Sequence, residues 1–297
     1  MLTMVLDIGG TAIKSGLYDN GELSAVRETP TDAKLGGAHV VERAIELIEA
    51  YRESAGFQRI GISTAGQVDA AAGRIIYANE NIPGYTGMEL KDIMEKKFRV
   101  PVAVENDVNA AAIGESIFGA GKGVSDFVCL TYGTGVGGAI FVNGKLYSGS
   151  SCSAGEFGGI VTHPQERDIA KGGMFSGCYE KYASATALVS RARQLEPSLS
   201  DGRAVFAQQD RPEVRAIIDG WIMEIIYGLI TIVYMLNPSC IILGGGVMEQ
   251  PYVLEQIREK LYQHIMPSFR HVRIEKARLG NRAGMLGAAM LDVHGQL

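Results

Sequence analysis

The feature that most constrains this chain is a turn that occurs twice. Residues 3–7 form an apolar run that ends in Asp7-Ile8-Gly9-Gly10-Thr11, and residues 13–18 then alternate. Residues 126–132 are apolar again, the stretch Gly133-Thr134-Gly135-Val136-Gly137-Gly138 follows, and residues 139–142 return. Apolar runs flanking glycines read as strand, tight turn, strand. The same unit opening each half predicts a duplicated α/β architecture, and 297 residues suffice for about two domains.

The rest of the chain fits that plan. Val40, Val41, Ala44, Ile45, Ile48 and Tyr51 recur at helical spacing, ending near Gly56. A strand over 59–63, a short helix over 90–98, a strand over 101–105 and a helix over 106–118 complete the first half. In the second half Asn143-Gly144 signals a two-residue hairpin. Helices are predicted over 179–193 and 214–236, then a strand over 240–243 before Gly244-Gly245-Gly246, then helices over 252–265 and 284–293. Gly119-Ala120-Gly121-Lys122-Gly123 is the expected hinge.

Composition narrows the function classes. A net charge of −5 opposes general binding to a phosphate backbone. A hydrophobic fraction of 46% supports a sizeable core. Cys129, Cys152, Cys178 and Cys240 form no C-x-x-C pair, so neither a disulfide framework nor a zinc ribbon is read. The first residues have no basic stretch or cleavage signature of a secretory leader. The most apolar stretch, 225–236, is too short to span a bilayer. A cytoplasmic enzyme or binder is expected.

Five segments carry chemistry. In Asp7-Ile8-Gly9-Gly10-Thr11-Ala12-Ile13-Lys14, glycines let backbone N–H groups approach phosphate oxygens, Thr11 donates, and Asp7 suits Mg²⁺; an ordinary capped hairpin is the plain alternative. Gly133, Gly135 and Gly138 fit G-x-G-x-x-G, but a strand rather than a helix follows, so a dinucleotide fingerprint is rejected. In Glu105-Asn106-Asp107-Val108-Asn109, Asp107 stands at a helix start as an N-cap, a general base, or both, and Asn106 offers its amide to hydroxyls. Glu156, in Ala154-Gly155-Glu156-Phe157-Gly158, and Glu180, after Gly177-Cys178-Tyr179, are candidate hydroxyl acceptors, although such glutamates are commonly just solvated. Residues 241–243 run into Gly244-Gly245-Gly246, a close approach for a nucleoside or a plain strand-to-helix turn.

These segments, in this order, resemble the ROK family of bacterial sugar kinases and related repressors, within the actin/hexokinase-like (ribonuclease H-like) ATPases. The resemblance runs from Asp7 to the Gly284-Met285-Leu286-Gly287-Ala288-Ala289 run. It implies two duplicated α/β domains flanking a cleft: a sugar-side domain over 1–118 and a nucleotide-side domain over 119–281, with a helix over 282–297 returning to the first. It implies ATP and Mg²⁺, held by Asp7, Gly9, Gly10, Thr11, Lys14, Thr134, Gly135, Gly245 and Gly246, with Asp7 on the metal side. It implies Asp107 as the base, with Gly66, Gln67, Asn79, Asn81, Asn106, Glu156 and Glu180 around the sugar. The implied reaction is phosphorylation of a sugar hydroxyl, typically the 6-hydroxyl of a hexose, amino-hexose or glucoside, by a homodimer.

The chain departs from the family pattern at one place. Gly159, Lys171 and Gly173 stand where the family has a histidine and two cysteines that hold a structural zinc, leaving Cys178 alone. No zinc is expected, since one thiolate does not close a tetrahedral site. In the family that histidine also touches the sugar, so the resemblance implies that the glycine removes one wall of the pocket and either admits a larger acceptor, such as a β-glucoside disaccharide, or changes the preference among hexoses. A regulator is disfavoured, because family repressors carry a DNA-binding module before the D-x-G-G-T strand and only six residues precede Asp7. A non-catalytic sugar-binding protein of the same fold is the remaining alternative.

Overall fold

The computed structural model describes residues 1–291. Met1–Gly123, Lys145–Ala154 and residues 278–291 form one compact unit; Val124–Gly144 and Gly155–Ala277 form the other. The segment Lys145–Ala154 thus groups with the first unit although it follows the second hairpin. Of the terminal helix expected over 282–297, residues 292–297 lie outside the described residues.

The first unit runs β1 (Thr3–Ile8), β2 (Ala12–Asp19), β3 (Glu22–Pro30), α1 (Gly37–Arg52), β4 (Arg59–Thr64), β5 (Gln67–Asp69), β6 (Arg74–Tyr77), α2 (Leu90–Phe98), β7 (Val102–Asn106) and α3 (Asp107–Phe118). The second holds β8 (Phe127–Tyr132) and β9 (Val136–Val142). After β10 (Lys145–Leu146) come α4 (Ile169–Gly172), α5 (Glu180–Ala183), α6 (Ala185–Leu195), α7 (Gly202–Ala207), α8 (Pro212–Leu236), β11 (Cys240–Gly244), α9 (Pro251–His264) and β12 (Arg273–Lys276). Last, in the first unit, is α10 (Ala283–Met290).

The first sheet has the order β3-β2-β1-β4-β7. The hairpin β1–β2 is antiparallel, and β4 and β7 add in parallel. The second unit repeats this logic: β8–β9 is the antiparallel hairpin, and β11 and β12 add in parallel to β8. Asn143 (φ 53°) and Gly144 (φ 76°) take the paired left-handed conformation of a type I′ turn.

Strand alternation decides what each face of the first sheet can carry. Met4, Leu6 and Ile8 point to the face covered by Val40, Ala44, Ile48 and Tyr51 of α1. Val5 points to the opposite face, against Met285, Leu286 and Ala289 of α10. Asp7 shares the parity of Val5, so its carboxylate lies at the start of α10, where a Cβ on Gly284 would stand 2.6 Å from Oδ1. Small residues let α10 sit close to the sheet and to α3. A Cβ on Gly61 would overlap the Ala288 carbonyl, and one on Gly287 would overlap that of Ala110.

The structure differs from the sequence reading at two places. The helix expected over 179–193 is broken: Ser184 (φ −67°, ψ 161°) leaves helical geometry and caps α6 by accepting from Ala187 N. The strand β12 was not anticipated. The helix expected over 214–236 is α8, whose 25 residues are by length and composition alone apolar enough to cross a membrane. Its apolarity has a local cause, because Ile218, Trp221, Ile222, Ile225, Leu229 and Val233 are core of the second unit.

Gly287→Ala is expected to lower stability by about 2 kcal/mol in urea unfolding, since the obstacle is a backbone carbonyl that cannot rotate away. The control Gly220→Ala in α8, where nothing stands within 4 Å of the new Cβ, is expected to stabilise by up to about 1 kcal/mol. Equal effects of the two substitutions would contradict this packing.

Candidate active site

The end of β7 and the start of α3 build the centre of the first unit's site. The cap of α3 is Asn106, not Asp107: its Oδ1 accepts from Val108 N (2.9 Å) and Asn109 N (3.1 Å). Asp107 is therefore the first helical residue, and its Oδ1 also accepts from Val108 N (2.9 Å). The Asn106 amide donates to Gly66 O (2.8 Å) and to Asp107 Oδ1 (3.0 Å). Both of its amide hydrogens are thus engaged in orienting the carboxylate and the Gly66 turn, and a sugar hydroxyl reaching Asn106 has to displace one of these bonds. Behind them Glu105 is buried and accepts from Asn106 N (2.8 Å) and Asn109 Nδ2 (3.1 Å). Burial holds its carboxyl above the usual glutamate range, against the pull of those two bonds.

Of the other residues expected around the sugar, Gly66, Gln67, Asn79 and Asn81 lie in the first unit. Gly66 (φ 97°) needs to be glycine, since a Cβ there would also stand 2.9 Å from Tyr77 O. Gln67 Oε1 accepts from Ser153 Oγ (3.1 Å). Asn79 and Asn81 are exposed, and Asn79 Oδ1 accepts from Asn81 N (3.0 Å), an Asx turn. Among these residues, hydrogen bonds bring Gly66, Asn106 and Asp107 together.

The Asp7 turn is also pre-shaped. Asp7 Oδ1 accepts from Ser63 Oγ (2.7 Å), and Oδ2 faces Lys14 Nζ at 3.5 Å. Thr31 Oγ1 donates to Gly9 O (2.7 Å) and Gly9 N donates to Ala12 O (3.0 Å), which leaves Gly10 and Thr11 exposed at the tip. A carboxylate beside an ammonium and exposed glycine N–H groups is a donor and acceptor set suited to a metal-bound phosphate.

In the second unit, Gly133 and Thr134 are exposed at the hairpin tip and border a cavity of about 640 Å³. Thr186, Ser190, Arg193 and Asp201 contribute its polar lining. Gly245 (φ 103°) brings β11 so near β8 that a Cβ would overlap the Tyr132 carbonyl. Gly246 beside it is exposed. Glu156 is exposed at the start of a single turn over Phe157–Gly159. Glu180 opens α5 and is half-buried. Its Oε2 would stand 2.7 Å from a Cβ on Gly135 and 3.0 Å from one on Gly158. Burial raises its carboxyl, opposed by Lys181 and by the Val136 N–H it accepts, and reinforced by the Glu156 charge.

Comparison with known proteins settles the family. The pattern of the ROK family matches residues 3–294. The chain belongs to the ROK family. A β-glucoside kinase of Listeria monocytogenes is 33% identical over 97% of this chain and 96% of that protein. A glucokinase of Streptomyces coelicolor is 33% identical over 98% and 97% respectively. The crystal structure of a ROK family glucokinase from Streptomyces griseus, in complex with glucose and AMPPNP, superposes with a TM-score of 0.85 at 32% identity, covering 99% of this chain and 100% of that one. Both units of this ROK chain therefore have the actin/hexokinase-like fold.

The zinc implied by the wider family pattern does not fit the residues present. Cys178 is buried, and the group against its Sγ is the Arg167 guanidinium, at 3.1 Å. The nearest histidine, His163, stacks on Tyr182 (centroids 3.7 Å apart), bonds Thr162 Oγ1 through Nδ1 and turns Nε2 toward Glu224. A cation already sits where a thiolate would need a metal, and the remaining donors are absent.

Sequence reasoning missed the supporting residues. Ser63 on Asp7 and the buried pair Tyr132–Tyr179 (hydroxyls 2.7 Å apart) act through neighbours distant in sequence, and Arg167 acts within its own loop through two backbone carbonyls and Cys178 Sγ. Ser63 alone had a signal, since it opens the Ser63-Thr64-Ala65-Gly66 turn. Asn106→Ala is expected to destabilise the protein by about 1 kcal/mol through loss of the cap, read as a lower midpoint in urea. An unchanged midpoint would contradict the capping role.

Proposed function

We propose that this chain transfers the γ-phosphoryl group of ATP to a sugar hydroxyl, with Asp107 as general base. The observation that carries the reading is the orientation of Asp107. A carboxylate oriented at a helix start by the Asn106 amide and the Val108 N–H is chemically suited to take an alcohol proton. Asp107 takes that proton as the sugar oxygen bonds to the γ-phosphorus and the bond to the β-phosphate oxygen breaks, releasing ADP. Positioning and charge neutralisation supply most of the acceleration in such transfers. Asp7 would hold Mg²⁺ brought in with the nucleotide, directly or through water, and the ion would neutralise charge on the phosphates. The Gly9-Gly10-Thr11 and Gly133-Thr134-Gly135 tips supply N–H and hydroxyl donors, and Gly245 with Gly246 lets a nucleoside lie flat on the backbone.

For the acceptor we infer a 6-hydroxyl on a β-glucoside or a free hexose, with the larger substrate favoured. The support is Gly159: a Cβ there would meet only the ring edge of Phe175, at 4.0 Å. Phe175 is partly exposed and offers an apolar platform for a second ring. The relatives that phosphorylate β-glucosides agree with this reading. We read the protein as cytoplasmic, where its nucleotide and sugar would be found, and as a homodimer.

Two outcomes are expected. Asp107→Asn lowers kcat about a thousandfold while sugar affinity, measured by calorimetry, stays within about threefold; parallel loss of both would remove the base assignment. In a coupled ADP-release assay, cellobiose is phosphorylated, and Gly159→His lowers kcat/KM for cellobiose about tenfold more than for glucose. Equal effects on the two sugars would refute the open-wall reading.

A further inference from the structure

The loop between Gly159 and Glu180 is closed at its base by backbone bonds. Tyr179 N donates to Ile160 O (2.7 Å), and Thr162 N and His163 N both donate to Gly177 O (3.1 and 3.0 Å). Within the loop one side chain gathers the returning segment. Arg167 Nη1 donates to Ser176 O (2.9 Å), Cys178 Sγ (3.1 Å) and Met174 O (3.2 Å). The next residue adds to the knot, with Asp168 N donating to Ser176 Oγ (3.0 Å). Gly177 (φ 67°) passes so close that a Cβ would stand 3.2 Å from Arg167 N and Cβ.

This knot ends two residues before Glu180. The single turn α5 that begins there has a second anchor at its other end, where the Trp221 indole donates to Ala183 O (2.9 Å) and Ser184 O (3.0 Å). A four-residue helix has too few internal bonds to hold itself. The Val136 N–H bonds the Glu180 carboxylate directly and the buried Tyr179 hydroxyl holds the preceding residue; the flanking anchors, Arg167 on one side and Trp221 on the other, add to these in fixing where α5 lies.

We propose that Arg167 is a positioning residue for Glu180. Its guanidinium cross-links Met174, Ser176 and Cys178 and does with hydrogen bonds what the absent cysteines and histidine would do through a metal. All three contacts come from Nη1, whose two N–H hydrogens are shared among the two carbonyl oxygens and the sulfur, and the rigid, always-charged guanidinium holds that nitrogen in place. The functional part rests on the reading of Glu180 as a sugar ligand. Arg167 is exposed, so its removal opens no core cavity, and the backbone bonds at the loop base persist.

The test uses Arg167→Ala in the full chain. Trp221 is the one tryptophan in the sequence, so its emission reports on α5 directly. The proposal predicts a shifted Trp221 emission, a KM for the sugar raised about tenfold, a KM for ATP within about threefold of the parent, and an unchanged Tm. Millimolar guanidinium ion is expected to restore both the emission and the sugar KM in the variant, with no effect on the parent protein. Unchanged emission and unchanged sugar KM would overturn the proposal. So would a general loss, with Tm and both KM values affected alike and no repair by guanidinium. If the parent protein phosphorylates no sugar, the kinase reading fails, and the emission change with its repair still decides whether Arg167 anchors α5.

Discussion

The site of the first unit depends on one capping interaction. Asn106 stands where a strand ends and a helix begins, and its side-chain oxygen takes the two orphan N–H groups of Val108 and Asn109. Such a cap contributes about 1 kcal/mol to stability, a modest share. Its effect on geometry is larger. It fixes where α3 starts, and so fixes Asp107 as the first helical residue with its carboxylate beside the Asn106 amide. Glu105, buried behind, accepts from Asn106 N and Asn109 Nδ2 and keeps the turn from rotating.

The second unit applies the same economy of parts around Glu180. The carboxylate fits only because Gly135 and Gly158 have no side chain at its oxygens. One glycine belongs to the hairpin tip assigned to the nucleotide and the other to the segment carrying Glu156. The buried hydroxyl pair of Tyr132 and Tyr179 ties the strand below that tip to the residue before Glu180, and Tyr179 OH donates on to Ile225 O (2.8 Å). The hairpin tip and Glu180 thus share a rigid base in these two aromatic rings. Burial raises both tyrosine hydroxyls, so they stay protonated and able to donate.

Much of this was legible in the residues. The two strand–glycine–strand segments predicted two duplicated hairpins, with Asp7 at the end of the first strand. The long periodic helices were clear for the same reason. What sequence did not reveal has physical causes. Asn106 and Asp107 are both good capping residues, and only the backbone geometry of Asn106 (φ −59°, ψ 148°) shows which one caps. Ser184 interrupts a run whose composition remains helical throughout. Arg167 looked like an ordinary surface charge, because its three acceptors include two backbone carbonyls, which have no sequence signature.

The account's central claim is that Asp107 receives the proton of the attacking alcohol. The most direct measurement is a crystal structure of the protein with cellobiose or glucose and a non-hydrolysable ATP analogue. The account predicts an Asp107 carboxylate oxygen within hydrogen-bond distance of a sugar hydroxyl that points at the γ-phosphorus. A bound sugar contacting other residues, with Asp107 engaged only by Val108 N and the Asn106 amide, would contradict it.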